Sequence, residues 1–541
     1  MWKRTVALFA MVVVGFYFSI LSLYHLSSGT QLAQAAAQQQ TDKVNVFSTR
    51  GTIYDCHLNP LTGNGRQVVA SIVPSIGVTQ ELNRVFPAAK MQELYPLLTA
   101  NKPFALKLPR KISSPDADVF TVSARYSARQ PAVHILGYLN GAGEGAAGVE
   151  KAFNSQLTKN QGRITVSYPV DAMNRVLSGE QKTVEDTSYL QRSGVVLTLD
   201  RRVQALAEEA ADQYVGKGAV VVLEVPSGKI RAMASRPSYS PDDVASVLSS
   251  KDSPLLNRAL SSYSVGSVFK LVAAAAALED GISPQTTYTC TGSITVDGNA
   301  FHCFNSESHG TENMQQAIAN SCNTYFVNLM QKVPPADFLS MAEKLGFGRS
   351  FSLAPGLSSD SGVLPTAKEL SIPRALANFS FGQGDLTANP LQIAAMVNAV
   401  ASGGTYTQPS LYEGLVNAGM KITQRAAQPK GEPVISTRTA ALLRGFMKSS
   451  IDEGTSNKGK PLFLEAGAKT ATAQTGHYVN GVEMVESWFA GFYPYDDPKY
   501  VVVVFVEGGS GGGASCGPAF RDIADGLYGL GVVSTQASPA G

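Results

Sequence analysis

Three short stretches of this chain carry the side chains that acyl transfer through a serine requires: Ser267-Val268-Phe269-Lys270, Ser321-Cys322-Asn323 and Lys469-Thr470-Ala471. A hydroxyl is a poor nucleophile at neutral pH and must give its proton to a base as it attacks a carbonyl. A Ser and a Lys three residues apart share one face of a helix, so Lys270 can approach the Ser267 oxygen. An ammonium cannot accept a proton. That role therefore requires the Lys270 pKa to be lowered by burial and by a second positive charge, which Lys469 supplies. With Ser267 at the start of a buried helix, the helix N-terminus adds partial positive charge and the Ser267 backbone N–H is a natural oxyanion donor.

A lone S-x-x-K pair is common on protein surfaces, but the order S-x-x-K, S-x-N, K-T belongs to penicillin-reactive serine enzymes. The chain resembles the class B penicillin-binding proteins, membrane-anchored D,D-transpeptidases of peptidoglycan synthesis. The resemblance runs from about Arg50 almost to the C-terminus. It includes Arg50-Gly51-Thr52-Ile53-Tyr54-Asp55, His134-Ile135-Leu136-Gly137-Tyr138, Gly148-Val149-Glu150-Lys151-Ala152-Phe153, Pro254-Leu255-Leu256-Asn257-Arg258-Ala259 and Gly382-Gln383-Gly384-Asp385-Leu386-Thr387. It implies Ser267 as nucleophile, Lys270 as its base, Ser321 as a proton shuttle toward the leaving amine, and Asn323 as the amide that bonds the peptide substrate and orients Lys270. Lys469 and the Thr470 hydroxyl would suit the terminal carboxylate of a D-Ala-D-Ala stem peptide or of a β-lactam, and the Thr472 backbone N–H would be the second oxyanion donor. Two positions depart from the family pattern: Ala471, where the third motif carries glycine, and Val265, where proline usually precedes the Gly-Ser of the first. Glycine on such a strand lets a substrate approach the backbone closely, and alanine adds a methyl that should narrow the site. Cys322, between two inward-pointing neighbours, should turn away as a small packing residue.

The implied reaction forms an acyl-enzyme at Ser267, releases D-alanine and passes the acyl group to an amine of a neighbouring stem peptide, with no cofactor and no metal. β-Lactams would be covalent inhibitors, and polymerisation of the glycan would fall to a separate membrane glycosyltransferase. A D,D-carboxypeptidase differs only in using water as acceptor. A non-catalytic scaffold of the wall-synthesis complex would be free to lose Ser267, Lys270 or Lys469, all of which are present. A β-lactamase needs a glutamate-held water for deacylation, for which no residue stands out. A β-lactam sensor needs a cytoplasmic signalling part, and only four residues precede the apolar run described next.

The chain of 541 residues, 44% hydrophobic, is long enough for two or three domains with sizeable cores. Charged residues make up 16% and the formal net charge is +2, which excludes the basic field that nucleic-acid binding requires. Lys3 and Arg4 precede an uncharged apolar run from Thr5 to Tyr24, which at helical rise is about 30 Å long and matches a bilayer core. The expectation is a single-pass anchor in the cell membrane, its N-terminus cytoplasmic and the catalytic part extracytoplasmic. Ala33-Gln34-Ala35 has the spacing of a signal-cleavage site but lies far past the run, which itself exceeds the roughly 7 to 15 residues of a signal h-region. The predicted organisation is residues 1–25 as tip and anchor, 26–43 as a polar tether, 44–193 as a non-catalytic α+β pedestal, and 194–541 as the transpeptidase domain.

Within the last region Val195 to Asp200 reads as a strand whose Asp200 caps a helix with apolar residues at Val203, Leu206, Ala207, Ala210 and Tyr214. Ala219 to Val225 and Lys229 to Ala234 read as a hairpin, as do Glu486 to Phe492 and Tyr500 to Glu507. The Ala-rich run Ser267 to Asp280 predicts a helix apolar nearly all round and hence buried, ended by Gly281; Pro518 to Leu530 predicts a closing amphipathic helix. Two N-terminal and three C-terminal strands with helices on both sides make an α/β fold around a five-stranded antiparallel sheet, matching the penicillin-binding transpeptidase fold. Five cysteines cannot all pair internally. Cys290 and Cys303 flank a hairpin whose Asp297-Gly298 turn could bring their sulfurs together; two separate thiols are an equal alternative. His134 and Glu150 are expected to make structural hydrogen bonds, and His309 and His477 are lone histidines without spaced partners for a metal.

Overall fold

Tyr500 to Val506 is apolar at every position because both faces of this strand are covered. Val501, Val503 and Phe505 point into one core while Val502, Val504 and Val506 point into another. It is the central strand of a five-stranded sheet made of β1 (Gly218–Glu224), β2 (Ile230–Arg236), β3 (Gly467–Val479), β4 (Val482–Tyr493) and β5 (Tyr500–Glu507). The order is β2-β1-β5-β4-β3, antiparallel throughout, so β3 is an edge strand with one strand partner. The structure, a computed structural model, describes residues 2–27, 41–159, 161–171, 175–177, 181–188, 193–479 and 481–533. Most of the tether predicted at 26–43 lies outside the described residues.

Helix α1 (Trp2–Ser27) holds the apolar run, and within Trp2–His25 an 18-residue window has a mean hydropathy of 2.4, long and apolar enough to cross a membrane. On the first core of the sheet lie α3 (Lys270–Glu279), α5 (Pro390–Ala401) and α6 (Thr437–Asp452); on the second lie α2 (Arg201–Tyr214) and α7 (Gly512–Gly529), while α4 (Asn323–Met330) packs against α3. Asp200 caps α2 as its sequence suggests, accepting from the Arg202 N–H at 2.9 Å. Lys270 to Ala277 are all buried, which explains the absence of a polar stripe on α3.

Three readings change in detail. Val195 to Leu197 is a strand, but it belongs to a separate small sheet with Thr52–Tyr54, Tyr412–Val416 and Ile422–Arg425. Ser267 lies on a 3₁₀ turn, Gly266–Phe269, that leads into α3 rather than on the α-helix itself. The closing helix starts at Gly512, six residues before Pro518, and encloses that proline. It can start there because a Cβ on Gly512 would lie 2.2 Å from Trp488 O and 2.5 Å from Ala471 O, an approach that only glycine permits.

The chain divides into two compact units, and they interleave along the sequence. The second contains residues 51–64, 126–159 and 192–541; Ile53, Ile135, Leu136 and Val149 share its core with the sheet. The first contains residues 1–50, 65–125 and 160–191. Its strands Phe104–Leu108, Gly65–Ile72 and Ala117–Ala124 form one sheet, with the helix Ile76–Val85 burying Val78 and Leu82 against Ile72 and Leu108. A second sheet, Thr41–Ser48, Arg163–Pro169 and Thr183–Asp186, contributes Val44, Val46, Ile164 and Val166 to a core shared with Val69 and Val122.

Candidate active site

The turn that carries Ser267 is held from below by backbone. Gly266 has φ +64° and donates its N–H to Gly382 O at 2.8 Å. A Cβ on Gly382 would lie 2.0 Å from Gly266 O, so the Gly382-Gln383-Gly384 segment can press on the serine turn only as glycine. The buried indole of Trp488 adds a second tie, donating to Ser264 O at 2.9 Å. Ser267 is left half-buried at the head of α3, and among the described residues its hydroxyl has no hydrogen-bond partner.

Lys270 and Lys469 are both 0% exposed. Burying two ammonium groups is costly, and such groups persist where they are hydrogen-bonded and functional. Lys270 Nζ donates to Ser321 O at 2.5 Å and to Asn323 Oδ1 at 2.6 Å, and lies 3.2 Å from Ser321 Oγ. Lys469 Nζ reaches Ser321 Oγ at 2.9 Å and Thr470 O at 3.0 Å. The Ser321 hydroxyl thus bridges the two lysines. Ser321 adopts φ +59°, a left-handed conformation that for a non-glycine costs on the order of 1–3 kcal/mol and clusters at functional sites. Asn323 donates from Nδ2 to His302 O at 2.8 Å, which aims its oxygen at Lys270. The five residues Ser267, Lys270, Ser321, Asn323 and Lys469 therefore converge at the head of α3, with Lys270 resting on Ser321 and Asn323 rather than on Ser267.

Burial pushes the Lys270 ammonium down from the ordinary lysine value to about 8, opposed by Cys322, Cys303 and Glu312 nearby. Lys469 is held well below the lysine range, first by burial and then by repulsion from Lys270. The two cations face one hydroxyl, so their protons come off as a coupled pair, and the neutral amine can reside on either.

Along β3, Thr470 Oγ1 lies 2.9 Å from Thr455 Oγ1, a partner that no sequence motif announces. Thr472 is partly exposed, and its hydroxyl accepts from the Gly512 N–H at 3.3 Å. Among the described residues the outer side of β3 has no neighbouring strand in its sheet, which leaves that edge available to an extended peptide. The Ala471 methyl does not line that edge as expected. It is buried with Lys469 and Ala473, and a Cβ placed on Gly266 would come within 3.3 Å of it, so it supports the serine turn instead of narrowing the groove. Val265 is likewise fully buried.

Cys322 turns away from the lysines, as expected, but it does more than fill space. Its sulfur caps α4, accepting from the Tyr325 N–H at 3.4 Å, and lies 3.8 Å from Cys303 Sγ. Cys290 and Cys303 are free thiols with sulfurs 3.7 Å apart. His309 is not isolated, since its Nδ1 lies 3.4 Å from Cys290 Sγ. His134 is hydrogen-bonded to Pro254 O at 2.7 Å and burial pushes its pKa down to about 4; Glu150, fully buried, accepts from Tyr126 at 3.3 Å. His477 is exposed on β3.

The chain is similar to known proteins in sequence and fold. The profile of the penicillin binding protein transpeptidase domain matches residues 218–525, more than half of the chain. The chain is 31% identical over 423 residues to Stage V sporulation protein D of Bacillus subtilis, covering 74% of this chain and 63% of that protein. It is 32% identical over 328 residues to the peptidoglycan D,D-transpeptidase PbpA of Mycolicibacterium smegmatis, covering 56% of this chain and 66% of PbpA. The chain thus spans about two thirds of the length of these relatives, 63% and 66%. The solved penicillin-binding protein PBP2 of Helicobacter pylori superposes with a TM-score of 0.70 at 21% identity, covering 91% of this chain and all of that one, a likeness of fold.

Proposed function

From the premise that this chain belongs to the penicillin-binding-protein transpeptidase family, we propose that it is a serine D,D-transpeptidase that cross-links peptidoglycan stem peptides and is acylated by β-lactams at Ser267. The observation that carries this reading is the pair of fully buried lysines meeting on Ser321 Oγ at 3.2 and 2.9 Å beside a half-buried serine. With a pKa of about 8, Lys270 is neutral in about a tenth of molecules at pH 7, enough to take the Ser267 proton as the hydroxyl attacks the penultimate D-Ala carbonyl. The backbone N–H groups of Ser267 and Thr472 receive the oxyanion. Ser321, touching both lysines, relays the proton to the departing D-alanine, and Asn323 holds both Lys270 and the substrate amide. Lys469 and Thr470 bind the terminal carboxylate, the threonine exchanging its Thr455 partner for it. An amine of a second stem peptide then attacks the acyl-enzyme, and its proton returns along the same path. Water in place of that amine gives the carboxypeptidase reaction.

In this reading α1 anchors the chain in the cell membrane with Lys3 and Arg4 in the cytoplasm and the catalytic unit outside. Within the predicted 44–193, residues 65–125 and 160–191 serve as the non-catalytic pedestal while 51–64 and 126–159 pack with the catalytic sheet, and a separate membrane glycosyltransferase supplies the glycan strands. The test is incubation with a pentapeptide stem donor and an amine acceptor, read by mass spectrometry. Cross-linked peptide and released D-alanine are expected, with an acyl adduct on the Ser267 peptide after penicillin treatment and none in Ser267→Ala. An adduct elsewhere sinks the assignment, and hydrolysis without cross-links would make the protein a carboxypeptidase.

A further inference from the structure

On the side of Ser321-Cys322-Asn323 away from the lysines, four potential ligands meet. Cys290 ends the strand Tyr288–Cys290, and Cys303 follows the hairpin Ser293–Val296 and Asn299–His302. His309 precedes the strand Gly310–Glu312, which pairs back onto Tyr288–Cys290, and Cys322 is the N-cap of α4. The three cysteines are buried and the histidine half-buried. The four ligand atoms lie within 4.8 Å of one another. Asn305 and Ser306, both at positive φ, turn the loop between Cys303 and His309 so that the imidazole comes back over Cys290.

The distances discriminate between the roles such a cluster can have. Zinc with Zn–S of about 2.3 Å and Zn–N of about 2.0 Å in a tetrahedron sets S···S edges of about 3.8 Å and S···N edges of about 3.5 Å. The sulfurs are 3.7 Å apart for Cys290 and Cys303 and 3.8 Å apart for Cys303 and Cys322, and Cys290 Sγ is 3.4 Å from His309 Nδ1. A disulfide needs about 2.05 Å, and with Cys303 midway between two partners one bond would leave a sulfur over. Backbone N–H groups also point at the sulfurs: Gly292 donates to Cys290 Sγ and Tyr325 to Cys322 Sγ, each at 3.4 Å. Outer hydrogen bonds of this kind accompany ligating groups.

We propose that Cys290, Cys303, His309 and Cys322 bind one zinc(II) ion in a closed tetrahedral site that clamps the Ser321–Asn323 segment. Thiolates select zinc over magnesium or calcium, and four protein ligands leave no open position for substrate, so the site is structural. On binding, the thiols release their protons to solvent. The ion ties Cys322 to the hairpin that presents His302 O to Asn323, and so fixes the amide on which Lys270 rests.

The test uses the full chain. Elemental analysis of the protein as isolated is expected to find one zinc per chain. Cobalt(II) added to chelator-treated protein is expected to give thiolate charge-transfer absorption with tetrahedral d–d bands. Cys303→Ser should weaken zinc binding by at least about a hundredfold, and His309→Cys should retain it with a four-sulfur cobalt spectrum, which guards against a serine variant that fails to fold. Amide hydrogen exchange across residues 288–325 should slow when zinc is restored. Wild-type protein that gives no cobalt–thiolate absorption, or Cys303 found in a disulfide by mass spectrometry under non-reducing conditions, would overturn the site. Unchanged exchange in this segment would overturn the clamp.

Discussion

The two sides of Ser321-Cys322-Asn323 handle buried ionisable groups in different ways. On one side, Ser321 and Asn323 surround Lys270 and Lys469 with oxygen acceptors at 2.5 to 3.2 Å, so both cations are satisfied by the protein alone. On the other, Cys322 and its neighbours meet at sulfur separations of 3.7 and 3.8 Å, contacts in which a thiol is only a weak donor. The oxygen side is preorganised for proton movement, because its charged and neutral forms both have partners. The sulfur side is preorganised for a dication and gains little without one. The difference shows that a reactive site and a structural site can share one tripeptide, since alternate side chains face opposite ways.

The most severe way to break the oxygen side is to remove its base. Lys270→Ala is expected to slow acylation by fluorescent penicillin by about two to four orders of magnitude, while thermal unfolding shows the fold retained; near-normal acylation would move the base elsewhere. Next comes pH. The neutral amine is the active form, so activity is lost as pH falls through about 8, the value to which Lys270 is pushed. The acylation rate should climb about tenfold per pH unit below that point and level off above it. A flat profile there would mean that Lys270 is not the group being titrated. Asn323→Ala removes the acceptor 2.6 Å from Lys270 and is expected to cost about ten- to a hundredfold in acylation, or roughly 1.4 to 2.7 kcal/mol of barrier. A loss as large as that of Lys270→Ala would promote the amide from support to direct participant. The smallest effect belongs to Ala471→Gly. Because the methyl is buried against the serine turn, the variant should lose up to about 1 kcal/mol of stability and acylate small and bulky β-lactams with little change in preference. A selective gain for bulky ones would return the methyl to the groove.

The strands of the sheet were legible because their signal is local. Val501 to Val506 are all apolar, and a strand buried on both faces has no other way to look. The serine, lysine and amide were legible as spaced types, but the bridge through Ser321 Oγ was not, because motif order says nothing about which hydroxyl a buried amine selects. The start of α7 was misread since Pro518 is a strong start signal, while the reason for starting at Gly512 is a close contact with Trp488 and Ala471 from another part of the chain. The sulfur cluster was hidden by reading its members one at a time. Cys290, Cys303, His309 and Cys322 read together give C-x12-C-x5-H-x12-C, wider than the usual paired spacings, and only the folded hairpins bring them together. Ile53 and Val149 give no sequence hint that they share a core with β5 rather than with the residues that flank them.

The tie between Trp488 and Ser264 has an optical consequence. The chain has two tryptophans, Trp2 in α1 and Trp488. In a Trp2→Phe protein all indole emission would come from a ring that is fully buried and bonded to the backbone three residues before Ser267. Any shift of the serine turn on acylation would then alter the polarity and hydrogen bonding of a single fluorophore. The enzyme would carry its own stopped-flow signal, and unlabelled β-lactams and peptide donors could be timed on the same footing.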